Sequence, residues 1–589
     1  MKPATTLLIR SLHYLPHRVA FLFSLVLFSE YYVFSFNFSI GINMQYFMLL
    51  VLSAFFIVSL TELLFLRCKI SIASLFLAFM VITCEWLLLV IKTPTYNLSN
   101  EYFTVTTGMA ILAFLILNSA ERTVRLYLPA ALCFVYCIEL YQAYYQWKTH
   151  IHSKNLSLSI TGTLDNSGIF SCYLVTGLPL VFYSIASLIQ NVHINRILNC
   201  VLSILVVIIL YLTESRTAWF SFLLVALLSC IEIGSSKTYK WVVSLMSGII
   251  FLCMLVYSSK IKTASAEGRA LIWKVSLLHF SEAPLTGTGL GTFPSKYPNW
   301  QINYFTTHKN VLESEFINAD ETYNAFNEPL QWLLETGMVG IFVIGVLLYL
   351  ALKKVGTQDA DSSFILSLKH TVCLILATSL TTYSLHCNLI FFLFVYSVFS
   401  ILKFKKTYNI HVGKFWGLIL LFPVYCLVLL SKEYSTVRLW NQFRISSRSA
   451  KINVEDTYGR IYKELAYNGK FLFDYSLHVS DTAKDIKEQL LRDDNMRYVS
   501  MNYFQTLANF YLYHKDTLQA IDSYKKMTHY IPSRYLPNVE LMRLYYSIKD
   551  TENTIEECKK IIEMPIKKFD PQIGTFKVYS KEILRQLNP

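Results

Sequence analysis

Long apolar runs occupy residues 1–431, whereas polar and charged positions dominate residues 438–589. A helix that crosses a membrane needs roughly 17–25 mainly apolar residues. By this criterion the chain holds about 13 spans, at 19–37, 45–66, 70–91, 102–118, 125–146, 168–189, 197–213, 217–233, 240–258, 329–352, 363–383, 385–402 and 413–431. The pattern predicts an all-α fold, in which a polytopic transmembrane helix bundle is followed by a helical domain.

Basic residues in the short loops orient this bundle, because Lys and Arg favour the cytoplasmic side of a membrane. With the N-terminus inside, the inner side receives Arg67, Lys69, Arg122, Arg125, Arg196, Lys237, Lys240, Lys353, Lys354, Lys403, Lys405, Lys406 and Lys414, although Lys148 and Lys154 fall outside. The chain then divides into N-terminal transmembrane helices (1–258), a large loop (259–328), C-terminal transmembrane helices (329–431) and a helical domain (438–589). The large loop and the helical domain are expected on the outer face.

The composition agrees with a membrane protein, since 54% of residues are hydrophobic and only 15% are charged, against about a quarter in ordinary soluble domains. Basic loops account for the net charge of +13, and we therefore expect no nucleic-acid partner. Most of the 12 cysteines lie in apolar runs, where Cys behaves as a small hydrophobic residue. His150 and His152 are two potential ligands without a third, so we assign no metal or cofactor site.

The last 150 or so residues read as helix pairs that repeat. An offset of about 34 residues, the tetratricopeptide spacing, aligns matching residues: Leu507 with Leu541, Tyr511 with Tyr545, Lys515 with Lys549, Asp516 with Asp550 and Ile521 with Ile555. Fewer than three clear copies are present, and so short an array needs another surface to pack on. The domain is predicted either to cap the protein or to bind an acceptor or a protein partner.

Charged residues lie next to or within several predicted spans. In the outer-face turn "ESRT", Arg216 stands between two apolar helices, where an unpaired guanidinium is costly and therefore marks a functional candidate. The alternatives are an anchor that reaches out of the helix end and a pair with Glu214. Glu85 and Glu139 lie inside predicted spans. Each is either a functional group, as a counter-ion to Arg216 or part of an acceptor site, or a structural group that forms a hydrogen bond between helices.

The large loop carries three motifs. "EGRALIWKVSLLHF" is an amphipathic helix with Arg269 near its start, and "APLTGTGLGTF" lacks a preceding strand and a Walker lysine, which favours a tight turn over a nucleotide loop. "DETYNAFNEPLQWLLETG" then leads into a span. Asn327, Gln331 and Glu335 share one helix face there at four-residue spacing, either as part of an active site or as a polar helix start capped by Asn324 or Asn327.

The ordered motifs of residues 160–350 resemble a known family. "GRALIWKVSLLHFSEAPLTGTGLGTF" followed by "YNAFNEPLQWLLETGMVG", with "ESRTAWFSFLLVALL" and "TGTLDNSGIFSCYLVTGLPL" upstream, is similar to the core of the O-antigen ligase/polymerase superfamily, which includes protein O-oligosaccharyltransferases. With its tetratricopeptide-like tail, the chain resembles the ligase-like proteins of Bacteroidetes. The resemblance implies a GT-C-like bundle in the bacterial inner membrane, with the large loop and the C-terminal domain in the periplasm.

The resemblance also implies the reaction. Members are inverting, metal-independent transferases that use no nucleotide sugar. They move a glycan from undecaprenyl diphosphate to an acceptor, which is lipid A core, a growing polysaccharide or a protein hydroxyl. Arg216 and Arg269 would bind the diphosphate, because the planar guanidinium matches phosphate oxygens and stays ionised.

At one position the chain departs from that family. Many members carry His-Asn where this sequence has Phe326-Asn327, and His is the natural base for an acceptor hydroxyl. Either the acceptor needs little base assistance or another group takes the proton; the candidates are Glu328, Tyr323, Glu321 and His308. Glu321 and Glu328 also have an ordinary explanation, because acidic residues near a helix start are favoured by the helix dipole. Asn327, Gln331 and Glu139 are predicted to position the acceptor.

Two other functions remain open. A flippase or secondary transporter of lipid-linked sugar would show internal repeats and broken helices at mid-membrane, whereas the polar groups here cluster at one face. A membrane-anchored scaffold for glycan assembly would act through its repeat domain instead, and Arg216 would then be dispensable.

Overall fold

The computed structural model describes residues 41–67, 69–90, 97–149, 160–164, 166–233, 263–308, 311–353, 362–404, 409–411, 414–446, 454–466, 468–495, 499–567 and 570–587. These residues form an all-α, polytopic membrane protein, as predicted. Its first helices are α1 (Gly41–Thr61), α2 (Ile72–Val90), α3 (Asn97–Asn118), α4 (Leu128–Thr149), α5 (Ser167–Leu188), α6 (Val192–Thr213) and α7 (Arg216–Ile233). The large loop contributes α8 (Thr263–Leu278), α9 (Phe293–Thr307) and α10 (Glu313–Asn318). Then come α11 (Glu328–Leu352), α12 (Ser362–Ser379), α13 (Asn388–Lys403) and α14 (Leu421–Ser446).

Within the described residues, 6 helices are long and apolar enough to cross a membrane: Thr123–Thr149, Ser167–Leu188, Val192–Thr213, Glu328–Leu352, Ser362–Ser379 and Gly417–Arg444. Shorter apolar helices cover Leu49–Leu64, Ile72–Trp86, Thr106–Asn118 and Asn388–Lys403. The spans predicted at 19–37 and 240–258 lie outside the described residues, and each of the others falls on a helix. α5 is buried along most of its length, whereas α6 and α11 expose most of their apolar surface, as expected of helices that face lipid.

The two ends of the bundle carry different loops. At one end, β1 (Lys69–Ser71) pairs with β2 (Asn409–His411) as a two-stranded antiparallel sheet. Beside it, Lys403 Nζ donates to Leu117 O at 2.7 Å and the Tyr396 hydroxyl donates to Val124 O. These segments belong to the basic loops that the sequence places together on the inner side. The candidate site residues lie at the opposite end.

The large loop folds into a compact lobe around α8. Its core contains Leu271 and Val275 of α8 together with Phe293, Tyr297 and Trp300 of α9. The amphipathic helix expected here is therefore present, although its last two leucines are not buried. Leu277 and Leu278 are 56% and 52% exposed, because α8 ends there and the chain turns away.

The glycine motif of the loop packs against a kink in α11. Gly337 interrupts this helix with φ 66° and ψ −170°. The turn meets the kink through backbone hydrogen bonds, in which Gly289 N donates to Glu335 O at 3.0 Å and Met338 N donates to Pro284 O at 3.0 Å. The tight turn predicted from "APLTGTGLGTF" is present, and it serves to hold the first turns of α11.

The C-terminal domain begins on a membrane helix. α14 continues through the boundary expected at 431–438, and its Trp440 joins the core of the following helices. These are α15 (Val454–Leu465), α16 (Gly469–His478), α17 (Lys484–Asn495), α18 (Met501–Tyr513), α19 (Thr517–Tyr530), α20 (Tyr535–Ser547), α21 (Thr551–Glu563) and α22 (Pro571–Leu587).

The turns α18–α19 and α20–α21 share one geometry. Lys515 and Lys549 both have φ 60°, and the side chains of Asp516 and Asp550 cap the helices that follow. The internal repeat is therefore structural, while its assignment to the tetratricopeptide class stays a prediction.

Candidate functional site

Two arginines predicted to bind diphosphate lie close together near Thr381, Arg269 by a direct hydrogen bond and Arg216 through its neighbour Thr217. Arg269, near the start of α8, donates from Nη1 to the backbone oxygen of Thr381 at 2.6 Å. The hydroxyl of that same Thr381 lies 2.9 Å from the hydroxyl of Thr217, the neighbour of Arg216. Three segments far apart in sequence thus converge at one end of the bundle.

The charges of the two arginines interact. Burial lowers the pKa of Arg269, and the positive charge of Arg216 lowers it further. Since like charges held close together disfavour each other's ionised form, an anion between them would relieve the repulsion. The pair is thus arranged to receive negative charge.

The backbone between α6 and α7 explains the position of Arg216. Glu214 ends α6 in the left-handed conformation, with φ 51°. Ser215 follows, and its backbone oxygen accepts from Trp219 N at 3.1 Å in the first turn of α7. Arg216 therefore begins a helix, where the partial positive charge of the helix dipole also favours an anion.

Phe326 occupies the same site. The Arg269 guanidinium carbon lies 5.2 Å from the centroid of the Phe326 ring, a cation–π distance. On its other side, the ring meets Tyr383 edge-on at 5.2 Å. Phe326 has φ 52°, a conformation that bulky residues seldom adopt. Phe326, which stands where many family members carry His, is thus in contact with Arg269, an arginine predicted to bind the diphosphate.

Behind Phe326, the first turns of α11 carry a buried polar network. Asn327 caps the helix by accepting from Leu330 N at 2.9 Å, which confirms the capping alternative for this residue. Gln331 Oε1 accepts from Ala325 N at 2.9 Å, and its Nε2 donates to Glu335 Oε1 at 3.2 Å. The predicted common face of Asn327, Gln331 and Glu335 is therefore real.

His386 completes this network and was not predicted. It ends a short 3₁₀ segment, Ser384–His386, in the loop between α12 and α13. Its Nδ1 lies 3.0 Å from Glu328 Oε1, and its Nε2 lies 3.2 Å from Gln331 Nε2. Glu328 Oε1 also accepts from Leu385 N at 2.9 Å. Glu328, a candidate base in the sequence analysis, is thus the hydrogen-bond partner of a histidine.

The electrostatic environment of His386 favours a proton. Burial by itself lowers the pKa of His386, but the carboxylates of Glu328 and Glu335 raise it above its ordinary value. A signal for this residue was available in the sequence: "TTYSLHCN" interrupts two apolar runs at the face predicted to be outer.

Two other candidate bases lie at the junction with the C-terminal domain. Glu321 Oε1 accepts from Met501 N, at the start of α18, at 2.6 Å. The charges of Glu321 and Tyr323 both act on Tyr530 of α19, and Tyr323 is 42% exposed. Glu321 therefore anchors the C-terminal domain.

The last candidate base and Glu139 serve local structure. His308 is exposed at the end of α9, where its ring stacks on Tyr304 at 4.5 Å. Glu139 is buried in α4 and accepts from Thr163 N at 3.0 Å and from the Thr163 hydroxyl. It holds the turn that leads into α5. Glu85 likewise accepts from Ser53 Oγ of α1, as expected for a hydrogen bond between helices.

A cavity of about 320 Å³ opens next to Arg269. Its walls include Phe326, Gln301, Asp320 and Thr322 of the loop lobe and Lys567 of the C-terminal domain. Lys567 Nζ donates to Asp320 Oδ2 at 3.2 Å. The C-terminal domain therefore forms part of the surface around the arginines.

In the described part of the chain, no group of 3 or more His, Cys, Asp or Glu side chains is arranged to hold a metal ion.

Comparison with known families gives one match. Residues 201–345 match the family model Wzy_C, described as O-antigen ligase. The matched segment contains Arg216, Arg269 and Phe326, and it ends inside α11. No curated protein matches the chain. Residues 201–345 therefore form an O-antigen ligase domain of the Wzy_C family.

Proposed function

We propose that this protein is an oligosaccharyltransferase of the O-antigen ligase type. It moves a glycan from undecaprenyl diphosphate to an acceptor hydroxyl at the periplasmic face of the bacterial inner membrane. The observation that carries this proposal is the proximity of Arg216 and Arg269: Arg269 and Thr217, the neighbour of Arg216, both bond to Thr381, and the charges of the two arginines interact. The domain match to O-antigen ligases supports the same reaction class.

The two arginines suit the leaving group of this reaction. As the bond from the glycan to the diphosphate breaks, negative charge builds up on the diphosphate oxygens. Guanidinium groups already fixed near those oxygens stabilise the transition state more than the ground state. Arg269 is held by Thr381, so little reorganisation is needed when the donor arrives.

The position of the arginines suits a lipid-borne donor. They lie at the end of the bundle opposite the basic loops, which is the outer side by the distribution of Lys and Arg. Arg216 begins the membrane helix α7, at the level where a lipid diphosphate would sit. The acceptor would approach from the loop lobe and the C-terminal domain, whose tetratricopeptide-like repeats would bind the acceptor or a protein partner.

One reconstitution tests this function. Purified protein in liposomes receives undecaprenyl-diphosphate-linked glycan and a hydroxyl acceptor, which in separate reactions is lipid A core, polysaccharide or protein. We expect release of undecaprenyl diphosphate together with extension of one acceptor. Glycan that crosses the bilayer without such release would instead identify a transporter. Neither release nor movement, with normal glycan in cells that carry Arg216→Ala, would indicate a scaffold.

We expect Phe326→His to retain at least about a fifth of the transfer rate, since about 1 kcal/mol corresponds to about fivefold. His adopts the left-handed conformation of residue 326 more readily than Phe, and the cation–π contact that is lost is worth only about 0.5–1 kcal/mol. Initial rates of acceptor extension, compared with those of wild type at equal protein level, measure the effect. Loss of transfer would show that the Phe326 ring itself is required for packing or acceptor binding.

A further inference from the structure

We propose that His386 is the general base that deprotonates the acceptor hydroxyl, and that Glu328 positions it. This inference rests on the proposed transferase function. Glu328 is 1% exposed, while the His386 side chain is 21% exposed. The carboxylate is thus enclosed behind the imidazole, and the imidazole is the member of the pair that a substrate can reach.

The hydrogen-bond network selects the tautomer that a base requires. Gln331 Oε1 is occupied by Ala325 N, which fixes the side-chain amide so that its Nε2 faces His386. An amide nitrogen only donates hydrogen bonds. His386 Nε2 must therefore accept, and the single imidazole proton lies on Nδ1, where it is donated to Glu328. The Nε2 lone pair is the group that abstracts a proton.

The same segment brings His386 to the arginines. His386 N donates to Tyr383 O at 3.1 Å, a 3₁₀ turn in which side chains three residues apart lie on one face. The Tyr383 ring contacts Phe326, and Phe326 contacts Arg269. His386 therefore faces the side on which the diphosphate would bind.

One oxygen of the Glu328 carboxylate is not used in holding His386. Its Oε2 is buried and makes no hydrogen bond among the described residues. The other carboxylate oxygen, Oε1, lies 3.0 Å from His386 Nδ1, so the negative charge is held directly beside the imidazole. Glu328 thus stabilises the imidazolium that forms when His386 takes the acceptor proton.

Transfer is a displacement at the anomeric carbon of the glycan. The acceptor hydroxyl replaces the Gln331 amide as the donor to His386 Nε2 and transfers its proton there. Its oxygen forms a bond to the anomeric carbon while the bond from that carbon to the diphosphate breaks. The electron pair leaves with the diphosphate, whose charge Arg216 and Arg269 neutralise, and the imidazolium later returns its proton to solvent.

The first test replaces His386 by asparagine. The Asn amide can keep the donor to Glu328 that Nδ1 supplies, but it lacks Nε2. Since general base catalysis contributes typically about 10²–10⁴-fold, His386→Asn and His386→Gln are each expected to lower kcat for transfer by that factor. The dissociation constant for undecaprenyl diphosphate should change less than about threefold, because the arginines and not His386 bind the diphosphate. His279→Gln is the matched control, since His279 stacks on Trp300 in the loop lobe.

The second test is the pH profile of the wild-type enzyme, which needs no variant to fold. The charged groups that act on His386 are Glu328 and Glu335, both of α11. Only neutral His386 acts as a base, so transfer is lost as pH falls through the raised pKa of His386. Glu328→Gln removes the main stabilising charge and should shift this acid limb to lower pH.

The outcomes separate the two proposals. Wild-type protein without transfer to any acceptor would refute the transferase function itself. Transfer by His386→Asn within about threefold of wild type, or a wild-type rate that stays flat from pH 5 to 8, would refute the base while leaving the transferase. A Glu328→Gln variant that is slower but keeps the wild-type acid limb would show that Glu328 is only structural.

Discussion

Replacing Arg269 with alanine is expected to lower glycan transfer about 10²- to 10³-fold, the usual effect of removing one preorganised donor from an anionic transition state. The loss should appear in kcat, because the interaction strengthens as the diphosphate gains charge. Arg269→Lys keeps the charge but not the planar fork, and we expect it to fall between alanine and wild type. Acceptor extension by purified variants measures the series.

Arg216→Ala should give a similar loss, and the double variant should lose less than the product of the two. The charge of Arg216 acts on Arg269, and the effects of removing two residues that act on the same diphosphate are not additive. Arg196→Ala is the matched control, since Arg196 is exposed in the first turns of α6, at the end of the bundle away from Arg216. Normal transfer by either active-site variant at normal protein level would contradict the assignment.

Gly337→Ala is expected to destabilise the folded protein by about 3 kcal/mol or more, because it combines backbone strain with overpacking. A Cβ at this residue would lie 2.2 Å from Leu285 O, and the residue has φ 66°. Gly287 lies on the other side of the same interface, and in Gly287→Ala the Cβ would lie 2.3 Å from the Glu335 carbonyl carbon. We therefore expect a similar loss of stability. Thermal unfolding in detergent and the yield of monodisperse protein measure both variants.

The matched control lies in the same helix. A Cβ at Gly345 would meet nothing within 4 Å. Gly345→Ala should therefore leave stability unchanged or raise it by up to about 1 kcal/mol, the difference in helix propensity. If Gly337→Ala unfolded at the same temperature as Gly345→Ala, the packing of the glycine turn on α11 would not be the constraint described here.

Residues of the candidate site could be proposed from the sequence where a local rule applied. Arg216 could be found because an Arg in an outer-face turn violates the usual charge distribution, and Gln331 because it shares a helix face with Asn327. His386 was missed because it stands at the start of the predicted span 385–402, and the partners that make it unusual are 55 and 58 residues away in sequence. The polar run "TTYSLHCN" marks the position of His386, but only the tertiary structure brings Glu328 and Gln331 to it.

Glu321 shows the opposite error. It lies in the motif that enters α11, so proximity in sequence made it a candidate base. Its carboxylate instead bonds to Met501, 180 residues away. Likewise, the glycine turn was recognisable from its composition, but its partner at Gly337 was not, because the close approach of two backbones depends on tertiary packing.

The attachment of the C-terminal domain has one further consequence. Asp320 lies 3.2 Å from Lys567 and 3.7 Å from Arg534, and Glu321 holds Met501. The chain runs from these two acids straight to Phe326. A protein that ended after α14 would lose Lys567 from the wall of the cavity beside Arg269 and would lose the partners of both carboxylates. The repeat domain is thus joined to the segment that leads to Phe326, and a ligand bound at this junction would lie within a few residues of the candidate site.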